Sequence, residues 1–186
     1  MPSPPLAQTN LSASAGFELL APQYAQAPSS VLAGRAPTLA DLPRLALTRR
    51  VIDETLRLYP PVAAIAREAY APDEIDGYAI PAKSGVMMSP YVTHRHPAFW
   101  PDPERFDPER FTPENSAKRP RFAYFPFSGG PRLCIGNEFA LMEAQILLAT
   151  IAQRFRVEVA PGHTVQQEIR ITLRPKQPML MVPRPV

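Results

Sequence analysis

The single cysteine of the chain, Cys134, stands just before a segment with the composition of a helix. Residues 137 to 154 contain no glycine or proline, and their apolar residues recur at helical spacing. A cysteine before a helix meets unpaired backbone N–H groups and the positive end of the helix dipole, and both favour the thiolate. Cys134 is therefore a candidate nucleophile or metal ligand, although a lone cysteine is often only a small buried apolar residue.

The neighbours of Cys134 suit a flat ligand with carboxylates at its edge. Gly129 and Gly130 permit close approach of the backbone, and the Arg132 guanidinium can pair with a carboxylate. Phe127 lies seven residues before the cysteine and could shield its sulfur from water. A thiolate, a cationic clamp and a close-approach loop together describe a heme bound through sulfur. Such ligation directs electron density onto the iron and favours O–O cleavage.

Residues 127 to 136 resemble the Phe-x-x-Gly-x-Arg-x-Cys-x-Gly signature of cytochrome P450 monooxygenases, with all fixed positions present. The similarity continues into the following helix at Ala140 and Glu143. The resemblance implies that the cofactor is heme (Fe-protoporphyrin IX) and that Cys134 is both the axial ligand of the iron and the catalytic residue. It also implies a wider set of heme contacts: Phe127, Gly130, Arg132, Cys134, Gly136, Ala140 and Arg67.

The assignment of Arg67 as a heme contact is weaker than that of the other residues in the set. It follows Arg57 by ten residues and resembles a family arginine that reaches a heme propionate. The alternative is an ordinary surface arginine.

A second pattern, Glu54-Thr55-Leu56-Arg57, places opposite charges three residues apart, where they can meet on one helix face. Such a pair is common on solvated helices. It also resembles the Glu-x-x-Arg of the same family, in which an arginine from a proline-rich coil completes a buried triad. Arg110 matches that arginine, and Arg105, in the upstream copy of the Pro-Glu-Arg-Phe tetrapeptide, is the less favoured candidate. We expect the triad to pin the coil to the helix beneath the Cys134 loop.

The histidines allow two other interpretations of the chain. A Cys–His nucleophile would need a positioned base, and nothing around His94, His96 or His163 looks like one. His94 and His96 could form a metal pair, but there is no matching carboxylate motif. We expect both to be loop histidines.

The elements that must position these residues can be predicted from spacing. Apolar residues from Leu45 to Tyr59 predict a helix that stops at Pro60. Eight prolines between Pro97 and Pro131 argue against a helix or central strand there, and the aromatic residues predict an ordered coil. Strands are predicted over Val62–Tyr70, Tyr78–Ile80, Gly85–Pro90, Val157–Val159, Ile169–Leu173 and Met179–Val182.

The predicted fold class is α+β, mostly helical with small β-sheets and a long proline-rich ordered coil. The resemblance makes it the C-terminal part of the cytochrome P450 fold. Residues 1–32 predict a poorly ordered arm or one short helix, and residues 33–186 the heme-thiolate portion. Family members also carry a distal helix with the motif Ala/Gly-Gly-x-Asp/Glu-Thr. Ala15–Leu19 matches this motif only in part, without the threonine, and we interpret the match as a coincidence. A truncated gene, a fragment gene call or a separately encoded N-terminal half would each explain this.

The resemblance implies a monooxygenase that inserts an oxygen atom from dioxygen into an organic substrate, using electrons from a ferredoxin, flavodoxin or flavoprotein reductase. Small apolar residues at 62–65, together with those near 169–173, suggest a lipophilic substrate. The electron donor would dock near Lys118, Arg119 and Arg121, which equally fit a solvated coil. The alternative function is a non-catalytic fragment that binds heme weakly or not at all, because the distal helix is missing.

Composition excludes several other classes of protein. The net charge is only +3 and the basic residues are scattered, which argues against nucleic-acid binding. No apolar run approaches a membrane span, and the first basic residue is Arg35, so no charged start of a signal peptide is present. We therefore expect a cytoplasmic protein without membrane association. One cysteine excludes an internal disulfide.

Overall fold

The computed structural model describes residues 28–170 and 172–186. Residues 28–32 are helical, and 3-10 helices lie at Leu39–Arg44, Pro108–Phe111 and Gly130–Arg132. The α-helices that follow residues 28–32 are α1 (Ala46–Leu58), α2 (Pro90–Thr93), α3 (Pro113–Ala117) and α4 (Asn137–Ala152). The predicted arm, residues 1–32 with the Ala15–Leu19 echo, lies almost entirely outside the described residues, and its boundary stays a prediction.

The strands of the described residues pair into four small antiparallel sheets. The pairs are β1 (Ile65–Glu68) with β4 (Gly85–Met88), β2 (Asp73–Ile75) with β3 (Tyr78–Ile80), β5 (Phe155–Val159) with β8 (Met181–Pro185), and β6 (Gln167–Ile169) with β7 (Leu173–Pro175). Helices, two-stranded sheets and a long coil confirm the predicted α+β class.

The two long helices, α1 and α4, contact each other and carry the site on their ends. On α4 the buried positions recur at intervals of three or four residues: Leu141, Gln145, Ala149 and Ala152. Leu45, just before α1, and Ala149 form a buried apolar cluster with Leu32. On α4 this buried face coincides only in part with the apolar spacing that predicted the helix, because Phe139, Leu147 and Ile151 are exposed.

One strand prediction was wrong. The segment Ile169–Leu173 is a turn rather than a strand, because β6 ends at Ile169 and β7 begins at Leu173, its antiparallel partner. Arg170 donates its N–H to the carbonyl of Thr172 and closes the turn, and residue 171 lies outside the described residues. Alternating apolar residues do not distinguish one strand from two strand ends joined by a tight turn.

The prediction that no helix interrupts the proline-rich coil was also wrong. The 3-10 helix Pro108–Phe111 and helix α3 both lie within it, and each begins at a proline. Proline lacks an N–H, but the first helical positions need no donor, and Asp107 and Thr112 cap the N-termini. The coil is ordered as expected.

Aromatic residues pack the coil against itself. The Trp100 side chain is buried and donates from its indole to the carbonyl of Ala123 at 3.3 Å. The rings of Phe111 and Tyr124 meet edge to face, with centroids 4.8 Å apart. No helix among the described residues has the length and apolarity needed to cross a bilayer.

Candidate functional site

Glu54 and Arg57 lie side by side on α1, and neither side chain is exposed. The Nε and Nη2 atoms of Arg57 donate to the two carboxylate oxygens of Glu54 at 2.6 and 2.8 Å. Burial raises the pKa of the Glu54 carboxyl, and the Arg57 guanidinium opposes that rise. A fully buried pair is stable only when every donor and acceptor is matched, and this two-point contact meets much of that requirement.

The remaining hydrogen bonds of the pair all reach backbone groups in the coil or just before it. Glu54 also accepts from the N–H of Asp107 at 2.7 Å. Arg57 donates to the carbonyl of His94, just before the coil, at 2.8 Å, and to those of Pro103 and Arg105 within it at 2.7 and 3.1 Å. The pair therefore fastens the coil to α1 through main-chain groups.

Arg110 approaches the same carboxylate. Its Nε lies 3.5 Å from a Glu54 oxygen, and its Nη2 donates to the carbonyl of Asp102 at 3.0 Å. Its side chain is largely buried, 12% exposed. Among the described ion pairs none involves the side chain of Arg105, which supplies only its carbonyl. The geometry brings Arg110 to the pair, by a longer contact than that of Arg57.

The loop before α4 is held by its own backbone. The N–H of Ser128 donates to the Phe125 carbonyl, and the N–H of Cys134 donates to the Phe127 carbonyl, both at 3.0 Å. Gly130 has a φ of +63°, a conformation that glycine adopts without strain. At Gly129 a Cβ atom would lie 2.6 Å from the Phe122 ring, so the backbone passes directly beneath that ring. These contacts fix the cysteine relative to the coil.

Cys134 is exposed and surrounded by exposed apolar side chains. Ile135 is fully exposed, and Leu133 and Phe139 are more than half exposed. Arg132 is exposed and has no ion pair among the described residues. An accessible thiol beside apolar surface and an unpaired guanidinium is the donor set that fits a flat apolar cofactor with carboxylate edges. The residues present are thus compatible with heme.

Arg67 reaches this loop from β1. Its Nη2 donates to the Ser128 hydroxyl at 3.1 Å, and its Nη1 donates to the carbonyl of Ala66. The side chain is half-buried. The arginine is therefore adjacent to the Cys134 loop, although it lies 67 positions before the cysteine in sequence.

The other predicted contact residues lie around the same loop. Phe127 and Gly136 are half-buried, Gly130 is exposed, and Ala140 is exposed on the first turn of α4. Gly136 lies so close to the cysteine that a Cβ there would meet the Cys134 sulfur at 3.9 Å. Arg67 and Gly136 thus lie against the Cys134 loop, and Ala140 lies in the helix that follows it.

The three cations expected at an electron-donor surface differ from one another. Lys118 and Arg121 are exposed. The Arg119 guanidinium instead lies 4.4 Å from the Trp100 ring centroid and 4.5 Å from that of Phe111, and donates to the carbonyl of Arg110. Burial lowers the pKa of Arg119. Its cation–π contacts join residues from separate turns of the coil, and no local pattern in the sequence signals them.

Sequence reasoning also missed the environment of His94. His94 lies in the turn after α2, as a loop histidine, but its ring is fully buried, which the sequence does not signal. Its Nε2 accepts the Phe125 N–H at 2.9 Å. Within the described part of the chain, no group of three or more His, Cys, Asp or Glu residues could hold a metal ion.

Comparison with known proteins gives a consistent result. The family model described as "Cytochrome P450" matches residues 26–182. Cyclooctatin synthase of Streptomyces melanosporofaciens is 44% identical over 155 residues, covering 83% of this chain and 34% of that protein. Cyclooctat-9-en-7-ol 5-monooxygenase of the same organism is 43% identical over 135 residues, covering 73% of this chain and 29% of that protein.

Solved structures extend the likeness to the fold. The crystal structure of the cytochrome P450DA heme domain superposes with a TM-score of 0.86 at 30% identity, covering 96% of this chain and 40% of that one. The chain therefore spans about a third of the length of the curated relatives that it matches. Heme is the cofactor that such relatives and heme-domain structures imply.

Proposed function

The chain belongs to the cytochrome P450 family, and we propose that it provides the proximal side of a heme-thiolate monooxygenase, with Cys134 as the axial ligand of the heme iron. The observation that supports this most is the accessible thiol of Cys134 on a loop whose backbone is hydrogen-bonded at both ends. A ligand sulfur must be accessible to the cofactor while its loop stays fixed, and the exposed thiol and hydrogen-bonded backbone support that role.

Each neighbouring residue has a role in the proposal. Bound heme would supply dioxygen binding and activation. Arg132 and Arg67 would hold its carboxylates by charge-assisted hydrogen bonds. Phe127 would exclude water from the sulfur, and the glycines at 130 and 136, with Ala140, would leave room for the flat ring system. Glu54, Arg57 and Arg110 would keep the coil and the loop in register.

Substrate and partners follow from the family. We propose a small lipophilic organic substrate, with dioxygen as co-substrate and electrons from a ferredoxin, flavodoxin or flavoprotein reductase. Lys118 and Arg121 are exposed, and both precede the Cys134 loop in sequence. They are candidates for contact with an acidic electron donor. The cytoplasmic location predicted from sequence stays a prediction.

Oxygen insertion is tested with isotopically labelled dioxygen. The heme-loaded protein is supplied with electrons from a flavoprotein reductase and ferredoxin and a panel of terpenes and fatty acids, and products are analysed by mass spectrometry. The proposal predicts products that carry one labelled oxygen atom and disappear in C134S. Labelled product of equal yield in C134S would contradict it.

The alternative function left open by the sequence is tested beside the first. It is a non-catalytic cytochrome P450 fragment that binds heme weakly or not at all. Heme titration separates the two: a saturable Soret change that is lost in C134S supports the ligand role, and no labelled product despite heme binding supports the non-catalytic fragment.

A further inference from the structure

His94 occupies the junction between α2 and the coil that leads to Cys134. It follows the last residue of α2, Thr93, and its side chain has no exposed surface. The imidazole packs against two aromatic rings of the coil. Its centroid lies 5.2 Å from that of Tyr124 and 5.3 Å from that of Phe125, the latter edge to face. The ring therefore has one fixed orientation within a closed environment.

His94 makes one hydrogen bond through its backbone carbonyl and one through its ring, whose buried Nδ1 has no hydrogen-bond partner among the described residues. Its backbone carbonyl accepts from Arg57 at 2.8 Å, which ties it to the buried pair on α1. Its ring Nε2 accepts the N–H of Phe125 at 2.9 Å. Because Nε2 is the acceptor, the neutral ring carries its proton on Nδ1. One residue thus connects the Glu54–Arg57 pair to the start of the loop segment.

From Phe125 the hydrogen bonds continue to the cysteine. The Phe125 carbonyl accepts from Ser128, whose hydroxyl accepts from Arg67. Two residues after Phe125, the Phe127 carbonyl accepts the N–H of Cys134. The position of Phe125 therefore sets the position of the backbone that holds the sulfur.

We propose that His94 is a positioning residue for the Cys134 loop, and that its neutral imidazole fixes the backbone at Phe125 relative to the Glu54–Arg57 pair. The loop-positioning role stands on the geometry alone. Its consequence for heme ligation rests on the function proposed above.

The charge state of the ring is part of this role. A protonated imidazole has no free lone pair, so it cannot accept from Phe125. Burial, with smaller contributions from the guanidiniums of Arg57 and Arg95, lowers the pKa of His94 to about 4, although the backbone of Arg57 and Leu56 opposes the shift. The other titratable group packed on the ring, the Tyr124 phenol, has a raised pKa and stays neutral. The ring is therefore neutral at physiological pH, as the hydrogen bond requires.

Two substitutions separate hydrogen bonding from packing. H94F keeps an aromatic ring in the cavity and removes the acceptor, whereas H94Q keeps an acceptor near the position of Nε2. His96 provides the matched control, because it is exposed and its Nδ1 accepts from Ala98 at 3.2 Å, away from Phe125. H96F therefore makes the same chemical change without touching the loop.

The first measurement is made on the chain without heme. Amide hydrogen exchange at Phe125 is expected to lose about tenfold in protection in H94F, as for one lost hydrogen bond, and to stay within about threefold of wild type in H94Q and H96F. The rate of alkylation of Cys134, the single thiol, is a second measure of loop order. That rate in H94F is expected to differ from the rates in wild type and in H96F. In wild type, Phe125 protection should also fall as the pH drops through about 4.

The second measurement uses heme-loaded protein and records the fraction with a thiolate-type carbon monoxide spectrum. That fraction should fall in H94F and be restored in H94Q. Unchanged Phe125 protection and alkylation in H94F overturn the proposal, as does an equal effect of H96F. Should H94F fail to fold, H94N, whose shorter amide does not reach Phe125, is compared with H94Q. If wild type takes up no heme, the proposed function fails, and the exchange result still decides the role of His94.

Discussion

At the scale of single residues, the site depends on charges and rings that are hidden from water. Glu54 and Arg57 are fully buried, and nearly every polar contact they make is with each other or with the coil backbone. Removing Glu54 would leave Arg57 buried without its counterion, and removing Arg57 would leave Glu54 with only the longer contact to Arg110. Either change is among the most destabilising in a protein interior.

Arg57→Ala and Glu54→Ala are each expected to lower the free energy of unfolding by about 3–5 kcal/mol and to abolish heme incorporation. Urea denaturation and the heme-to-protein ratio measure the two effects. R184A is the control, because Arg184 forms an ion pair of similar length with Glu158, and both side chains are about half exposed. Breaking this pair should lower the free energy of unfolding by less than about 1 kcal/mol. Normal heme content in either buried-pair variant would refute the role assigned to the pair.

His94 makes the stability of the fold depend on pH. Its pKa is about 4 in the folded chain and near 6.5 in the unfolded chain, so the unfolded state binds the proton first as the pH falls. The contribution of neutral His94 to the free energy of unfolding is fully present above pH 6.5. It falls progressively, by about 3 kcal/mol, as the pH drops towards 4.

The difference in unfolding free energy between wild type and H94Q isolates this effect, because other titrating groups contribute equally to both proteins. It is measured by urea denaturation at intervals from pH 7 to pH 4. Wild type is expected to lose stability relative to H94Q across that range. Parallel curves for the two proteins would show that His94 does not titrate in the buried position.

At the scale of elements, the long helices were predictable and the irregular segments only partly so. The helix predicted from Leu45 to Tyr59 is observed as Ala46–Leu58, and α4 ends two residues before the predicted Arg154. The first has a strong amphipathic period and stops at Pro60, whereas the second was predicted from its apolar residues and the absence of glycine and proline. The hairpin at residues 167–175 was read as one strand, because its turn contains no glycine or proline to mark it.

Local motifs predicted much of the site, and they could not predict the rest. The loop signature identified Cys134 and Arg132, and the Glu54–Arg57 spacing identified the pair. The burial of His94 and the aromatic surroundings of Arg119 arise from coil segments that meet only in three dimensions. Single-residue spacing carries no signal for such contacts.

The loop and the coil are coupled at one glycine. G129A places a Cβ atom 2.6 Å from the Phe122 ring, too close for both to keep their positions. We expect a loss of about 1–2 kcal/mol in the free energy of unfolding, the usual cost of overpacking. In the F122A background, G129A should lower the free energy of unfolding by much less than it does in wild type. Purely additive effects in this double-mutant cycle would show that the ring moves aside freely.

At the scale of the whole molecule, apolar surface and the thiol lie on the same face. Ile135, Leu133 and Phe139 are exposed around Cys134, and exposed apolar patches typically mark ligand or interaction sites. Bound heme would cover apolar surface there, so ligation and burial would act together. The stability of the folded chain should therefore increase with heme concentration.

The carbon monoxide difference spectrum of the reduced, heme-loaded protein tests the central claim most directly. Wild type is predicted to give the strongly red-shifted Soret band of a thiolate-ligated heme. C134S, which replaces sulfur with oxygen and changes little else, is predicted to lose that band. R121Q, an exposed cation outside the proposed heme contacts, should retain it. A red-shifted band of equal intensity in C134S, or none in heme-loaded wild type, would contradict the assignment of Cys134 as the heme ligand.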